Sequence, residues 1–444
     1  MYLHGTSQIN DQGHLVIGGC DTVQLKEQYG TPLYIMDEHL IRSRCQEYMQ
    51  AFEASGLTFQ VAYASKAFCT MAMCRIVEEE GLSMDVVSEG ELYTAMQAGF
   101  PVERIHFHGN NKTPDELDMA LEAGIGCFVV DNFVELQVLN AIAASKNLIP
   151  NILLRVTPGV EAHTHEYIST GQEDSKFGFD VGNGTAYQAV KEAHQLQNVK
   201  LLGIHSHIGS QIFEVDGFQV AVERVAAFAL EVQQQEGISF TVINLGGGFG
   251  IRYTAEDTPL QVADYVEAIT TAVKEHFDKL EGTLPQIWVE PGRSIVGDAG
   301  TTLYTVGSNK DIPNVRKYVS VDGGMTDNPR LALYEAKYEA VIANRATDEE
   351  TELVSVAGKC CESGDMLIWD IELASPVAGD LLAIACTGAY NYSMASNYNR
   401  IRRPAVVLVK DGKSDVIVER ETLADITGND VIPARLSKAT ITAS

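Results

Sequence analysis

Between residues 58 and 290 the chain alternates short apolar runs with longer stretches in which apolar residues recur every three or four positions. Short unbroken runs bounded by turn residues are the pattern of strands buried on both faces, and the three-to-four spacing is that of amphipathic helices. The runs predict eight strands, at 58–63, 83–87, 105–107, 127–130, 151–156, 201–205, 241–245 and 287–290. Each is followed by a helical or longer connection, with helices expected at 71–80, 89–98, 114–123, 133–145 and 215–235, several opened by a capping residue such as Thr113. Eight strand-then-helix units predict an α/β fold closed into a (β/α)8 TIM-type barrel. An open doubly wound sheet is the alternative, since it uses the same alternation without requiring eight units.

After about residue 300 the pattern changes to short β-like runs (301–306, 317–321, 381–386, 405–409) punctuated by Gly, Asn and Pro. That is a second, mainly β domain. Residues 15–17 and 33–36 have the same character, so the expected division is a barrel over 37–299 and a β domain formed by 1–36 and 300–444. No internal repeat or low-complexity tract interrupts it.

A chain of 444 residues with 45% apolar composition is long enough for one large core and a second domain. No apolar run reaches the roughly 18 residues of a membrane span, and Met1 to Asn10 lacks the features of a signal peptide, so a cytoplasmic protein is expected. The eight cysteines (Cys20, Cys45, Cys69, Cys74, Cys127, Cys360, Cys361 and Cys386) form no disulfide framework and no paired C-x-x-C zinc spacing, and no metal is expected. With 32 Lys+Arg against 60 Asp+Glu, the formal net charge is −28, which argues against nucleic acid or an anionic membrane as the partner. A local basic pocket for a small anion is compatible with that charge.

The candidate chemistry collects where the predicted strands end, the face on which barrel enzymes carry their active sites. Lys66 follows the first strand among the small residues Ala64, Ser65 and Ala67. A lysine amine becomes a nucleophile in a dry or electropositive site, and pyridoxal phosphate requires such a lysine together with an acidic partner for its ring nitrogen. Glu290 ends the eighth strand, where an unpaired carboxylate is costly. A protonated pyridine nitrogen would pair with it; so would Arg293. After strand seven come Gly246, Gly247 and Gly248, and after strand eight Pro291, Gly292 and Arg293. Glycines let backbone N–H groups approach an anion, and a guanidinium fork suits phosphate oxygens. A tight strand-to-helix turn would explain the glycines equally well. His207 and Ser210 follow strand six, where a flat ring can stack on a planar cofactor and a hydroxyl can donate to phosphate. In the β domain, the polar loop from Gly358 to Asp365 carries the adjacent thiols Cys360 and Cys361 followed by Glu362.

In this order the segments resemble the fold-type III pyridoxal-phosphate decarboxylases, relatives of alanine racemase and ornithine decarboxylase, and within them the diaminopimelate decarboxylase family. The resemblance runs from Tyr63, Ala64, Ser65, Lys66 and Ala67 to Gly388, Ala389 and Tyr390. Its most diagnostic stretch is His163, Thr164, His165, Glu166, Tyr167, Ile168, Ser169, Thr170, Gly171 and Gln172, leading to Asp174, Ser175, Lys176, Phe177 and Gly178; the pair Cys361, Glu362 points the same way. The resemblance implies that Lys66 bonds the cofactor, His207 stacks on its ring and Glu290 pairs with the ring nitrogen. It implies that Ser210, Gly247, Gly248, Pro291, Gly292, Arg293 and Tyr390 surround the cofactor and its phosphate. Arg293, Arg330, Tyr334, Glu362 and Tyr390 would contact substrate, with Arg330 and Tyr334 on the distal carboxylate, and Cys361 would donate a proton.

The implied reaction is conversion of meso-diaminopimelate to L-lysine and CO2, in a homodimer whose sites borrow the Cys361, Glu362 loop from the partner. Phe68, Glu89, Lys359 and Cys360 depart from the family pattern without touching a residue given a chemical role. Competing readings are a related decarboxylase acting on a D-amino acid, ornithine or a carboxylated polyamine, and a catalytically silent cofactor-binding regulator. Arg330 and Glu362 speak against the first, and Lys66, Glu290 and Cys361 together against the second.

Overall fold

The structure, a computed structural model, describes residues 1–160, 175–280 and 282–436. The stretch 163–172 that carries the most diagnostic resemblance, with Asp174, lies outside the described residues.

The chain opens with β1 (Gln8–Ile9), β2 (Leu15–Ile17) and β3 (Cys20–Asp21), an antiparallel sheet of their own. Next, β4 (Leu33–Asp37) leads directly into the helix Glu38–Ser55, because the Asp37 carboxylate caps it by accepting from Leu40 N. The barrel follows: β5 (Phe59–Ala64), β6 (Ser83–Val86), β7 (Ile105–Phe107), β8 (Cys127–Val130) and β9 (Asn151–Thr157). A short β10 (Phe179–Asp180) flanks β9, and β11 (Lys200–His205), β12 (Val242–Asn244) and β13 (Gln286–Val289) complete the ring. Each barrel strand pairs in parallel with the next, and β13 returns to β5, so the sheet closes without an edge. Closure decides between the two predicted architectures in favour of the barrel. Every residue of β6, β7 and β8 is buried, as the unbroken apolar runs implied.

Helix starts follow the capping chemistry of the sequence. Thr70, Ser88 and Asn132 each accept from the backbone three residues on, and Thr113 forms a full capping box with Glu116. The five predicted helices are present to within one residue at either end, and Glu38–Ser55, Thr185–Gln195 and Val262–Phe277 complete the outer ring. One buried ion pair fixes the loop after β7: Lys112 Nζ donates to Glu135 Oε1 at 2.7 Å, Val129 O at 2.7 Å and Gly109 O at 2.9 Å. All three ammonium protons are thus used, the condition under which a buried lysine is tolerated.

The second sheet begins with β14 (Gly300–Ile312) and β15 (Arg316–Val321), continues through β16 (Ala340–Ile342), β17 (Thr351–Ala357), β18 (Met366–Ala374) and β19 (Leu381–Ala385), and ends with β20 (Ala405–Lys410) and β21 (Lys413–Val418). Its order is β18-β17-β15-β14-β4-β20-β21, with β19 on β14 and β16 on β19. The N-terminal β4 therefore sits between β14 and β20, joining the first and last parts of the chain in one sheet.

Candidate active site

A cavity of about 590 Å3 opens at the C-terminal ends of the barrel strands, and its far wall comes from the second sheet's segment. The barrel supplies Lys66, Asp85, His108, Arg155, His205, His207, Ser210, Gly247, Gly248, Glu290, Gly292 and Arg293 to its lining. Arg330, Tyr334 and Tyr390 face them from the other side.

Lys66 occupies a single 3-10 turn, Ser65–Ala67, directly after β5. The turn is pinned on both flanks. Ser65 N donates to Asp85 Oδ1 at 3.2 Å and Ser65 Oγ to Glu91 Oε2 at 2.9 Å, while Ala67 O accepts from Tyr390 N at 2.9 Å. The small neighbours are buried, and Lys66 lines the cavity together with Ala64, so the pinned backbone holds the amine in place.

Glu290 is 7% exposed. Asn244 Nδ2 donates to its Oε1 at 2.6 Å and His205 Nε2 lies 3.0 Å from its Oε2; His108 Nε2 lies 3.0 Å from Oε1, off the hydrogen-bonding direction. Burial alone would favour the neutral acid, but His108 and His205 outweigh it and hold the carboxyl well below its usual range. Burial pushes His205 down to about 4 against the pull of Glu290, so it is a neutral donor to an ionised carboxylate. The Arg293 pairing considered from sequence does not form: Arg293 points away, towards Ser210 and Tyr253.

His207 is neutral as well, lowered well below its ordinary value by burial and then by Lys66 and Arg155. Its Nδ1 accepts from Gly247 N at 3.2 Å, which leaves the other ring nitrogen protonated. The glycines do not form a tight strand-to-helix turn, since the next helix begins only at Val262. A Cβ at Gly247 would stand 2.1 Å from Glu290 O, and Gly248 has φ +111 with Gly209 O at 2.5 Å from a Cβ, so close strand packing demands them. Both still line the cavity beside Ser210 and Arg293.

Arg293 and Arg330 are 7% and 8% exposed and form no ion pair with any described carboxylate. Arg293 Nη1 donates to Tyr253 Oη at 2.6 Å and Nη2 to Ser210 Oγ at 3.0 Å; Arg330 Nη1 donates to the same Tyr253 Oη at 2.7 Å. The Nε of each is buried without a partner. Two buried guanidinium groups satisfied by neutral hydroxyls leave their positive charge for an anion brought from outside.

Sequence reasoning missed Asp85, His108, Arg155 and Tyr253. Burial pushes the Asp85 carboxyl up to about 7, with His108 and Lys66 opposing and Glu290 adding to the rise. His106, His108 and Glu290 also bring ligand-type atoms within 4.8 Å of one another, although the His106 ring lies flat on Trp288 at 4.2 Å.

Three expected site residues stand apart. Pro291 does not line the cavity; its carbonyl accepts from Ala64 N and ties β5 to the end of β13. Cys361 is exposed, with its N–H on Asn399 Oδ1 at 2.7 Å, and Glu362 Oε2 accepts from Tyr398 Oη at 3.3 Å; neither reaches the cavity of its own chain. Cys360 is buried beneath them, its N–H on Asp365 Oδ2, and burial followed by Asp365 pushes its thiol up to about 11.

Residues 38–297 match the family model described as pyridoxal-dependent decarboxylase, pyridoxal binding domain. The chain is 59% identical over 431 residues to the diaminopimelate decarboxylase of Bacillus subtilis, covering 97% of this chain and 98% of the relative. It belongs to the diaminopimelate decarboxylase family. The same identity and coverage hold for the diaminopimelate decarboxylase of Halalkalibacterium halodurans. Among solved structures, the diaminopimelate decarboxylase of M. jannaschii in co-complex with L-lysine superposes with a TM-score of 0.92 at 40% identity, over 98% of this chain and 100% of that one.

Pyridoxal phosphate is the cofactor of this family, and the residues present fit it. A phosphate needs a positive charge such as that of Arg293, which no described carboxylate neutralises, a ring nitrogen needs the ionised Glu290, a planar ring needs a flat neutral neighbour such as His207, and the aldehyde needs an amine such as Lys66.

Proposed function

We propose that this chain removes one carboxylate from meso-2,6-diaminopimelate to give L-lysine and CO2, the closing step of lysine formation by the diaminopimelate route. The observation that carries the reading is the pairing, in one cavity, of an ionised Glu290 with two buried arginines that no described carboxylate neutralises. It occurs in a chain that aligns end to end with diaminopimelate decarboxylases.

Bound in this cavity, pyridoxal phosphate supplies an electron sink for the pair left on Cα when CO2 departs. The chain's residues bind, orient and move protons around it. Lys66 would hold the cofactor through its side-chain amine. Glu290 keeps a proton on the ring nitrogen, and its contacts with Asn244 and His205 prevent it from drifting or being protonated itself. His207 forms one wall of the ring site. Arg293, Ser210, Gly247, Gly248, Gly292 and Tyr390 hold the phosphate side. Asp85, poised near neutrality beside Lys66, can take up and return a proton as that amine changes state.

Specificity rests on the far end of the substrate, which carries both a carboxylate and an ammonium group. Arg330 and Tyr334 face the first, Arg293 and Tyr390 flank the substrate, and Glu362 answers the second. Cys361 returns a proton to Cα. Because Cys361 and Glu362 lie away from their own chain's cavity, they serve the site of a second subunit, and the working form is a two-fold dimer with shared sites. Residues 37–299 then act as the cofactor-binding barrel, and 1–36 with 300–444 as the unit that delivers the loop. No described helix is long and apolar enough to cross a membrane, and all eight cysteines are free thiols, in keeping with work in the cytoplasm.

The test is a substrate panel with the holoenzyme. A site built around the far zwitterion leaves buried charges unpaired when that group is missing, so kcat/KM for meso-diaminopimelate is expected to exceed that for L-ornithine, D-alanine or a carboxylated polyamine by about 10^3 or more. Comparable turnover of L-ornithine would overturn the assignment.

A further inference from the structure

A second cavity, of about 320 Å3, lies behind the glycine loop that follows β12. Two segments separate it from the first and present one side to each. Along the loop, Gly247 to Phe249 line the first cavity, Phe249 to Arg252 line the second, and Tyr253 then bonds both Arg293 and Arg330. Along the turn after β13, Gly292 and Arg293 face the first cavity while Ser294 and Asp298 face the second.

Most polar groups around this second cavity are already engaged. Tyr48 Oη is bonded to Ser294 Oγ at 2.8 Å, Tyr265 Oη donates to Ile212 O at 2.7 Å, and Arg44 Nη2 donates to Asp298 Oδ2 at 2.7 Å. His4 is lowered below its ordinary pKa, chiefly by burial, and so adds no charge at neutral pH. Two buried side-chain atoms of the lining are left without a partner, one on Arg252 and one on Asp298. Arg252 forms no ion pair with any described residue; its guanidinium lies over the Tyr2 ring at 4.4 Å, and its Nε is buried without a hydrogen bond. Asp298 is 6% exposed, and its Oδ1 is buried and unbonded. One wall is aromatic and aliphatic, from Tyr2, Phe249, Leu260 and Val262, and the rim adds Thr258, Gln261 and Asp257, whose Oδ2 accepts from Tyr253 N at 3.0 Å and Thr254 N at 2.8 Å.

One unpaired cation and one unpaired carboxylate oxygen, in a chamber that has one aromatic and aliphatic wall and lies at the lower end of the size range of small-molecule sites, are complementary to a small zwitterion with a hydrocarbon tail. We propose that the second cavity is an effector site for a free α-amino acid with an apolar side chain, its carboxylate on Arg252, its ammonium on Asp298 and its tail against the aromatic wall. The site is separate from the decarboxylation chemistry and does not depend on it. Occupancy bears on the first cavity through Ser294, which adjoins Arg293, and through the loop that ends at Tyr253.

L-norleucine is the probe, with hexanoate and n-pentylamine as analogues carrying one charge each, tested against the holoenzyme by ligand-observed NMR titration. Norleucine is expected to bind the parent protein at least tenfold more tightly than either analogue. Arg252→Met should weaken norleucine at least tenfold, Asp298→Asn should weaken norleucine but not hexanoate, and Arg330→Met, in the first cavity, should leave its affinity intact. Norleucine should also change the KM for meso-diaminopimelate in the parent and not in Arg252→Met. Loss of binding in Arg330→Met rather than Arg252→Met, equal binding of hexanoate, or no binding would overturn the site. Binding with no effect on KM would overturn its effector role.

Discussion

If Arg330 reads the distal carboxylate of the substrate, deleting the guanidinium and deleting that carboxylate remove the same interaction. D-lysine is meso-diaminopimelate without its distal carboxylate, with the reacting centre unchanged, so it and Arg330→Met form a double-mutant cycle with the parent pair. Arg330 is 8% exposed, spends only Nη1 on Tyr253 Oη, and leaves the Nε edge of its fork unbonded, which is the edge that grips a carboxylate through two N–H groups. Breaking such a desolvated charge pair costs about 3 kcal/mol, or about 150-fold in kcat/KM. Losing the bond to Tyr253 adds about 1 kcal/mol, about fivefold, for any substrate. Steady-state kinetics by CO2 release should therefore show Arg330→Met reducing turnover of meso-diaminopimelate by two to three orders of magnitude and of D-lysine by only about fivefold. Equal losses for the two substrates would refute the placement of Arg330 on the distal carboxylate.

Cys361→Ala is expected to lose most turnover while retaining the bound cofactor's visible absorbance, and Cys360→Ala to stay active, because Cys360 is buried against Asp365; the reverse outcome would exchange their roles. Inactive Lys66→Ala and Cys361→Ala proteins, mixed under subunit exchange, should regain about a quarter of the parent activity, since about half the dimers are hybrid and one of their two sites is intact. No recovery, with exchange confirmed by mass, would place the site within one chain. Burial lowers His106 to about 3, so its folded-state pKa lies below the unfolded value of about 6.5 and stability is lost as pH falls from 6.5 towards 3. His106→Phe should gain about 2 kcal/mol on the parent between pH 8 and pH 5 in urea denaturation. Comparing the two proteins isolates this site from Asp327, which burial raises to about 7 and which acts in the opposite sense.

The barrel was legible because several of its strands are buried on both faces and so read as short apolar runs, as in β8 with its four buried residues. Helices Glu38–Ser55 and Val262–Phe277 were not named, although each carries an apolar stripe at helical spacing, Leu40, Ile41, Cys45, Tyr48 and Phe52 in the first and Val262, Tyr265, Val266, Ile269, Val273 and Phe277 in the second. Of the residues named at strand ends, Lys66, His207, Ser210, Gly247, Gly248, Glu290, Gly292 and Arg293 share one cavity because strand ends converge in a closed barrel, while Gly246 and Pro291 stay outside it. Asp85 carried a signal that went unused: an acid within the apolar run of β6 is costly to bury without a purpose. His106 in β7 and His108 just past its end stand two residues apart and are both buried, a second readable sign. Tyr253 had none. Its contacts lie 40 and 77 residues away, and only the folded chain shows that one phenol holds Arg293 beside Arg330.

The central claim is tested most directly by following carboxyl-13C meso-diaminopimelate with the holoenzyme in D2O by NMR. Loss of one carboxylate and return of one proton to the same carbon predict one equivalent of 13CO2 and one of L-lysine bearing a single deuterium on its ε-carbon, with Lys66→Ala forming neither. Deuterium exchange without CO2 release, or CO2 accompanied by a product other than L-lysine, would contradict the account.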